Sequence, residues 1–137
     1  MSAKQTMRIV LAAAICGAAA HAWAADAAVE VKRNILDRHD QSGVEGKEIV
    51  IGTAELPAGG VIGWHTHPGD ETAYVLRGNL VLKRQGQPDL ALKAGDHFLN
   101  PRGTVHSLVA APGSEGGAVV STWIVDKGKP LAEPAKP

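Results

Sequence analysis

The chain has 137 residues, with 14 Lys and Arg against 14 Asp and Glu, so its formal net charge at pH 7 is zero. No basic patch stands out, which removes nucleic acid as a partner, and a length of this order accommodates one domain. A single cysteine, Cys16, rules out an internal disulfide framework.

Lys4 and Arg8 give the chain a positive start, Ile9 to Ala20 is a twelve-residue apolar run, and Ala22-Trp23-Ala24 places small residues at both positions a signal peptidase reads. This is the three-part pattern of a secretory signal peptide, with an apolar run too short to span a bilayer. Residues 1–24 are therefore expected to be cleaved between Ala24 and Ala25, giving a periplasmic or secreted protein with no membrane partner after cleavage. Ile15 stands before Cys16, where a lipidation signal would want a small residue, so Cys16 is assigned to the discarded leader. The 113 residues that remain have no cysteine, and 12 basic against 14 acidic residues leave a net charge of −2. Such a domain is held by its core alone, or by its core with a metal or a partner subunit.

Gly and Pro punctuate this remainder at short intervals, and the segments between them read as strands. VEVKRNIL (Val29 to Leu36) comes first, then EIVIGTAEL (Glu48 to Leu56), which ends in the turn PAGG, then GWHTH (Gly63 to His67). TAYVLRG and NLVLKRQ meet at Gly78-Asn79, a pair that tolerates positive φ and predicts a two-residue hairpin. Gly86-Gln87-Pro88 turns the chain into DLALKAG, and DHFLN, TVHSLVA and AVVSTWIV (Ala118 to Val125) complete the set. No stretch after the leader sustains a helical period. Short strands at close spacing predict an all-β sandwich or barrel over residues 25–126. Residues 127–137, with three prolines and three lysines, predict a flexible tail, extended or disordered.

In a strand, residues two apart face the same side. His65 and His67 therefore present both imidazoles together, and Pro68-Gly69-Asp70 turns the chain so that Glu71 opens the next strand beside them. Imidazole with carboxylate suits one divalent transition metal (Fe, Mn, Ni, Cu or Zn) and argues against Ca or Mg. The spacing around these residues is G-x5-H-x-H-x3-E-x6-G from Gly59 to Gly78, and then G-x5-P-x-G-x2-H from Gly95 to His106.

These two stretches resemble the paired motifs of the cupin family, the first at every defining position and the second through its histidine. The resemblance implies a small jelly-roll β-barrel with a metal inside its mouth, held by His65, His67, Glu71 and His106. It also implies pairing into a homodimer. The family pattern often ends with asparagine where this chain has Ala110, a position outside the ligand set. The sixteen residues between the motifs, Asn79 to Ala94, leave no room for an inserted lid, so access through the barrel mouth suits a small-molecule substrate or ligand.

Family resemblance further implies a metal-dependent dioxygenase acting on a small phenolic or enolic compound, with Glu71 able to serve as a catalytic base. The alternatives are a metal-dependent isomerase, decarboxylase or lyase, and a non-catalytic module that binds metal or a small molecule. Tyr74 and Trp123 are candidates for an aromatic pocket wall. Trp64 and Thr66 have the strand parity opposite to the histidines and are expected to face away from the pocket. His39 and His97 lie outside the ligand pattern, and Phe98 is expected in the core.

Overall fold

Nine strands make up the regular structure of residues 29–137, the part of the chain that this computed structural model describes. The leader and its cleavage point between Ala24 and Ala25 lie outside the described residues. The strands are β1 (Lys32–Asp40), β2 (Lys47–Pro57), β3 (Val61–Thr66), β4 (Gly69–Arg84), β5 (Leu90–Lys93), β6 (His97–Asn100), β7 (His106–Ala110), β8 (Gly116–Asp126) and β9 (Glu133–Pro134). No helix occurs among the described residues, and every strand pair is antiparallel. The fold is the all-β jelly-roll barrel that the strand pattern and the motifs led us to expect.

One strand organises the barrel. The first half of β4 pairs with β8 and β6, and its second half pairs with β5 and β7. One sheet therefore runs β1-β2-β8-β4-β6 and the other β5-β4-β7-β3-β9, with β4 common to both. Alternation along β4 decides what points inward. Gly69, Glu71, Ala73 and Val75 are buried, while Asp70, Thr72, Tyr74 and Leu76 are exposed. Val75, Leu80 and Leu82 of β4 join Leu56, Phe98, Leu108 and Val119 in the apolar core, and Glu71 stands near the start of the same strand.

The hairpin expected at Gly78-Asn79 is not there. The strand continues through it, and Gly78 marks the place where β4 passes from one sheet to the other. Gly78 does adopt a positive φ of 79°, but a Cβ on it would lie 2.0 Å from the Gly116 carbonyl oxygen and 2.5 Å from the Gly117 Cα. Glycine is needed here for a bend and for close backbone approach, two demands that in sequence look like those of a reverse turn. The hairpin lies further on, where Leu80–Leu82 of β4 pairs with Leu90–Leu92 of β5 around Gly86.

The C-terminal segment departs from the expectation of a flexible tail. Glu133–Pro134 pairs with His65–Thr66 of β3, and the Ala135 amide donates to the Trp64 carbonyl at 2.9 Å. Without this segment β3 would be an open sheet edge, and a short proline-bearing strand is suited to covering one.

Replacing Gly78 with Ala should cost at least about 2 kcal/mol, since it adds backbone overlap to an unfavourable φ. The denaturant midpoint of the variant against the parent chain measures it; an unchanged midpoint would mean that β4 and β8 do not approach as described.

Candidate metal centre

His65 reaches the barrel interior because β3 carries an extra residue. Ile62 is opposite Leu108 and His65 is opposite His106, so Gly63 and Trp64 together face the single residue Ser107. This is a β-bulge, which re-aims the side chains that follow it. Ile62 packs against the core, and strict alternation from it would have turned Trp64 inward and His65 outward. Buried Ser107 supports the irregular backbone, its hydroxyl donating to the Ile62 carbonyl at 2.7 Å. His67 follows in the turn after β3, and His106 opens β7 directly across from His65.

The ligand nitrogens of His65, His67 and His106 lie within 4.8 Å of one another. In each ring Nδ1 faces a backbone carbonyl: Gly63 at 2.7 Å for His65, Leu131 at 2.6 Å for His67 and Thr104 at 2.9 Å for His106. A carbonyl can only accept, so each Nδ1 carries the proton and each Nε2 presents a lone pair. Trp123 gives independent support for His67: its indole N–H, which can only donate, is 3.3 Å from the His67 Nε2. The Nε2 atoms of His65 and His67 stand 3.2 Å apart with no proton to share. Three imidazoles oriented by carbonyls, with their basic nitrogens converging, form a donor set that fits a divalent transition metal.

Glu71 completes the cluster. Its Oε2 is 3.2 Å from the His106 Nε2 and 3.5 Å from the His67 Nε2, and the residue is only 5% exposed. Register places Glu71 between Trp123 of β8 and Asn100 of β6. The Asn100 amide, 1% exposed, donates to the Glu71 Oε2 at 3.0 Å and accepts from the Arg84 Nε at 2.8 Å. Arginine can only donate and an ionised carboxylate only accept, so the Asn100 amide has one satisfactory orientation. Burial pushes the Glu71 carboxyl up, but hydrogen bonds from His106 and His67, the charge on His67 and the Asn100 amide outweigh it. The group is held below the ordinary carboxylate range and is ionised at neutral pH. His106 and His67 can help in this way only when protonated, because their Nδ1 protons are already committed; a cation between the Nε2 atoms would act in the same sense. Burial, joined by the neighbouring His106 and His67, pushes the His65 imidazole down to about 4, against the raising pull of its Gly63 hydrogen bond and of Glu71.

All four side chains line a cavity of about 590 Å³ whose other walls are largely apolar, with Ile35, Ile62, Phe98, Leu108, Val119 and Leu131 among them. Trp123 is part of this wall. Tyr74 is not: it is 50% exposed on the outer face of β4. An odd offset of three residues from Glu71 puts it on the other side of the strand. Trp64, expected to face away, also lines the cavity. His39 and His97 are exposed and apart from the cluster, and Phe98 is in the core. Asn100 and Arg84 were not singled out in sequence; the available signal was the parity of Asn100, two residues from Phe98 on a short strand.

The family profile of the cupin domain matches residues 52–125. The chain belongs to the cupin family. A cupin-like protein from Thermotoga maritima superposes on this cupin with a TM-score of 0.56 at 29% identity, covering 77% of this chain and 75% of that one. The DMSP lyase DddQ from Ruegeria pomeroyi DSS-3 superposes with a TM-score of 0.62 at 20% identity, over 77% of this chain and 51% of that one, a likeness of fold alone. In sequence, the uncharacterized protein YdbB of Bacillus subtilis (strain 168) is 46% identical over 44 residues, which span 31% of this chain and 39% of that relative. Ala110, where the family pattern often has asparagine, is buried at the opposite end of β7 from His106.

Replacing His106 with Ala should strip most of the bound metal, measured by elemental analysis of the purified protein; unchanged stoichiometry would remove His106 from the ligand set. In metal-free protein, the depressed His65 pKa predicts the sign of a pH effect. The unfolded chain binds this proton near 6.5 and the folded chain near 4, so the stability contribution is complete above pH 6.5 and is lost as pH falls toward 4. The thermal midpoint of metal-free protein should fall across that window, and less so in His65→Gln.

Proposed function

We propose that this cupin is an exported, metal-dependent dioxygenase for a small phenolic or enolic compound, with one divalent transition metal (Fe, Mn, Ni, Cu or Zn) held by His65, His67, Glu71 and His106. The observation that carries this reading is the convergence of three carbonyl-oriented imidazoles on the wall of an apolar cavity. A metal bound there would supply Lewis acidity, and redox chemistry if it is Fe, Mn, Ni or Cu.

The chain's own residues favour this class of substrate. The walls formed by Ile62, Phe98 and Val119, with the indoles of Trp64 and Trp123, suit a flat apolar body. Arg33 and Asn34 of β1 also border the cavity and offer polar contacts to a substituent. Glu71, its carboxylate 3.2 Å from the His106 Nε2, stands at the polar end of the cavity, placed to take a proton from a phenolic or enolic hydroxyl. The leader pattern of residues 1–24 supports export to the periplasm or the medium. The open edge of β1, where Ile35 and Leu36 are more than half exposed, supports covering by a second copy in a homodimer.

The test is elemental analysis of protein purified from the exported fraction, followed by oxygen uptake with a panel of phenols and enols. Near-stoichiometric redox metal with substrate-dependent uptake is the expected result. Turnover without oxygen consumption would replace the dioxygenase with an isomerase, decarboxylase or lyase, and stoichiometric metal with binding but no turnover would make the protein a binding module. Glu71→Gln should lower turnover by about 100-fold or more while most metal is retained; unchanged turnover would take Glu71 out of the chemistry.

A further inference from the structure

The His67 imidazole is oriented by a group 64 residues away in the chain. Its Nδ1 donates to the main-chain carbonyl of Leu131 at 2.6 Å, whereas His65 and His106 each use a carbonyl two residues before themselves. Two of the three ring orientations are therefore local, and the third depends on the C-terminal segment being in place.

That segment is built to be in place. It leaves β8 at Asp126, whose carboxylate receives both terminal nitrogens of Arg102 at 2.8 and 3.0 Å and also the Lys47 ammonium. Gly128 then turns the chain with a positive φ. Leu131, Ala132 and Pro134 line the cavity together with the histidines, and the segment is secured on β3 by the Glu133–Pro134 pairing and the Ala135 amide. None of residues 131–135 belongs to the apolar core cluster; their contacts go to the site and to its edge strand.

We propose that residues 131–135 form a strap that is a working part of the metal site, so that docking of the strap and binding of the metal reinforce each other. This rests on the reading of His65, His67 and His106 as metal ligands. With the strap docked, the Leu131 carbonyl keeps the His67 proton on Nδ1 and turns Nε2 toward the cluster; a partner of this kind fixes tautomer and ring orientation and raises ligand basicity. With the strap away, His67 loses that partner and its ring can turn. Linkage requires the converse with the same factor: metal on Nε2 must hold the strap down. The strap also walls the cavity, so the metal-loaded protein has the more enclosed substrate site. Leu131, Ala132 and Pro134 thereby help set which substrates fit.

The experiment titrates Co(II), followed by its visible absorption, into metal-free full-length protein, a chain ending at Pro130, and Ala135→Pro, which removes the donor to Trp64. The truncated chain should bind Co(II) about 10- to 100-fold more weakly, the usual effect of losing an orienting partner, with an altered absorption spectrum as His67 loosens. Ala135→Pro should shift the affinity in the same direction by less. The metal-free thermal midpoints should stay close to one another, which separates this effect from loss of the barrel. Amide hydrogen exchange at Ala135 of the full-length chain should slow when Co(II) is added. Equal affinity in the full-length and truncated chains, or exchange at Ala135 unmoved by metal, would overturn the coupling and leave the metal centre standing. No Co(II) binding by the full-length chain would overturn the metal centre and the coupling with it.

Discussion

The arrangement depends on a conflict between like groups. Three Nε2 lone pairs and an ionised carboxylate face one another in a buried space. Trp123 and Asn100 supply only one donor each, to His67 and to Glu71, so acceptor capacity exceeds the donors at hand, which is costly away from water. Protons or a cation must resolve this. Protons resolve it poorly, because each imidazole already spends its proton on a carbonyl, and a second proton would place charge in a partly desolvated site. A divalent metal satisfies all four groups at once. The preference for metal is thus carried as much by the carbonyls of Gly63, Thr104 and Leu131 as by the ligands themselves.

The barrel supplies the geometry through two local irregularities. A bulge at Gly63-Trp64 moves His65 to the inner face after Ile62 has already been used for the core. A bend at Gly78 lets a single strand serve both sheets, so that Glu71 and Arg84 lie on one continuous segment and meet Asn100 from opposite halves of it. Both devices trade ladder regularity for position, and both are supported nearby, by the Ser107 hydroxyl in one case and by the glycine pair Gly116-Gly117 in the other. Placing the carboxylate near the start of β4 and the core residues further along keeps the polar cluster at the end of the apolar interior rather than within it.

The resulting cavity joins a polar cluster to apolar walls, and this division limits what can occupy it. A ligand must present oxygen or nitrogen toward the histidines and an apolar surface everywhere else. The indoles of Trp64 and Trp123 flank that surface, and the Trp123 N–H reaches the His67 ring. The lining also includes residues of β1 and of the C-terminal strap, the two outermost strands of the barrel. Its size and access therefore answer to the edges of the structure, while its chemistry answers to the centre.

Much of this was legible in the residues alone. Alternation of apolar and polar residues predicted strands that the fold contains, and H-x-H followed by Glu71 placed three side chains on one face because strand periodicity and a short turn are local properties. The tertiary structure decided what depends on pairing between distant segments. A bulge exists only relative to a partner strand, so the sharing of one face by Ile62 and His65 could not be read from the sequence alone. Gly78 favours a reverse turn and a close strand approach equally, and only the presence of Gly116-Gly117 opposite it selects the second. Tyr74 was the exception, since its odd offset from Glu71 was there to be counted. Asn100, Arg84 and the Leu131 carbonyl entered the site through contacts across 16, 29 and 64 residues. Short-range periodicity sets which side chains share a face, but the partners that orient them are found only when the chain closes on itself.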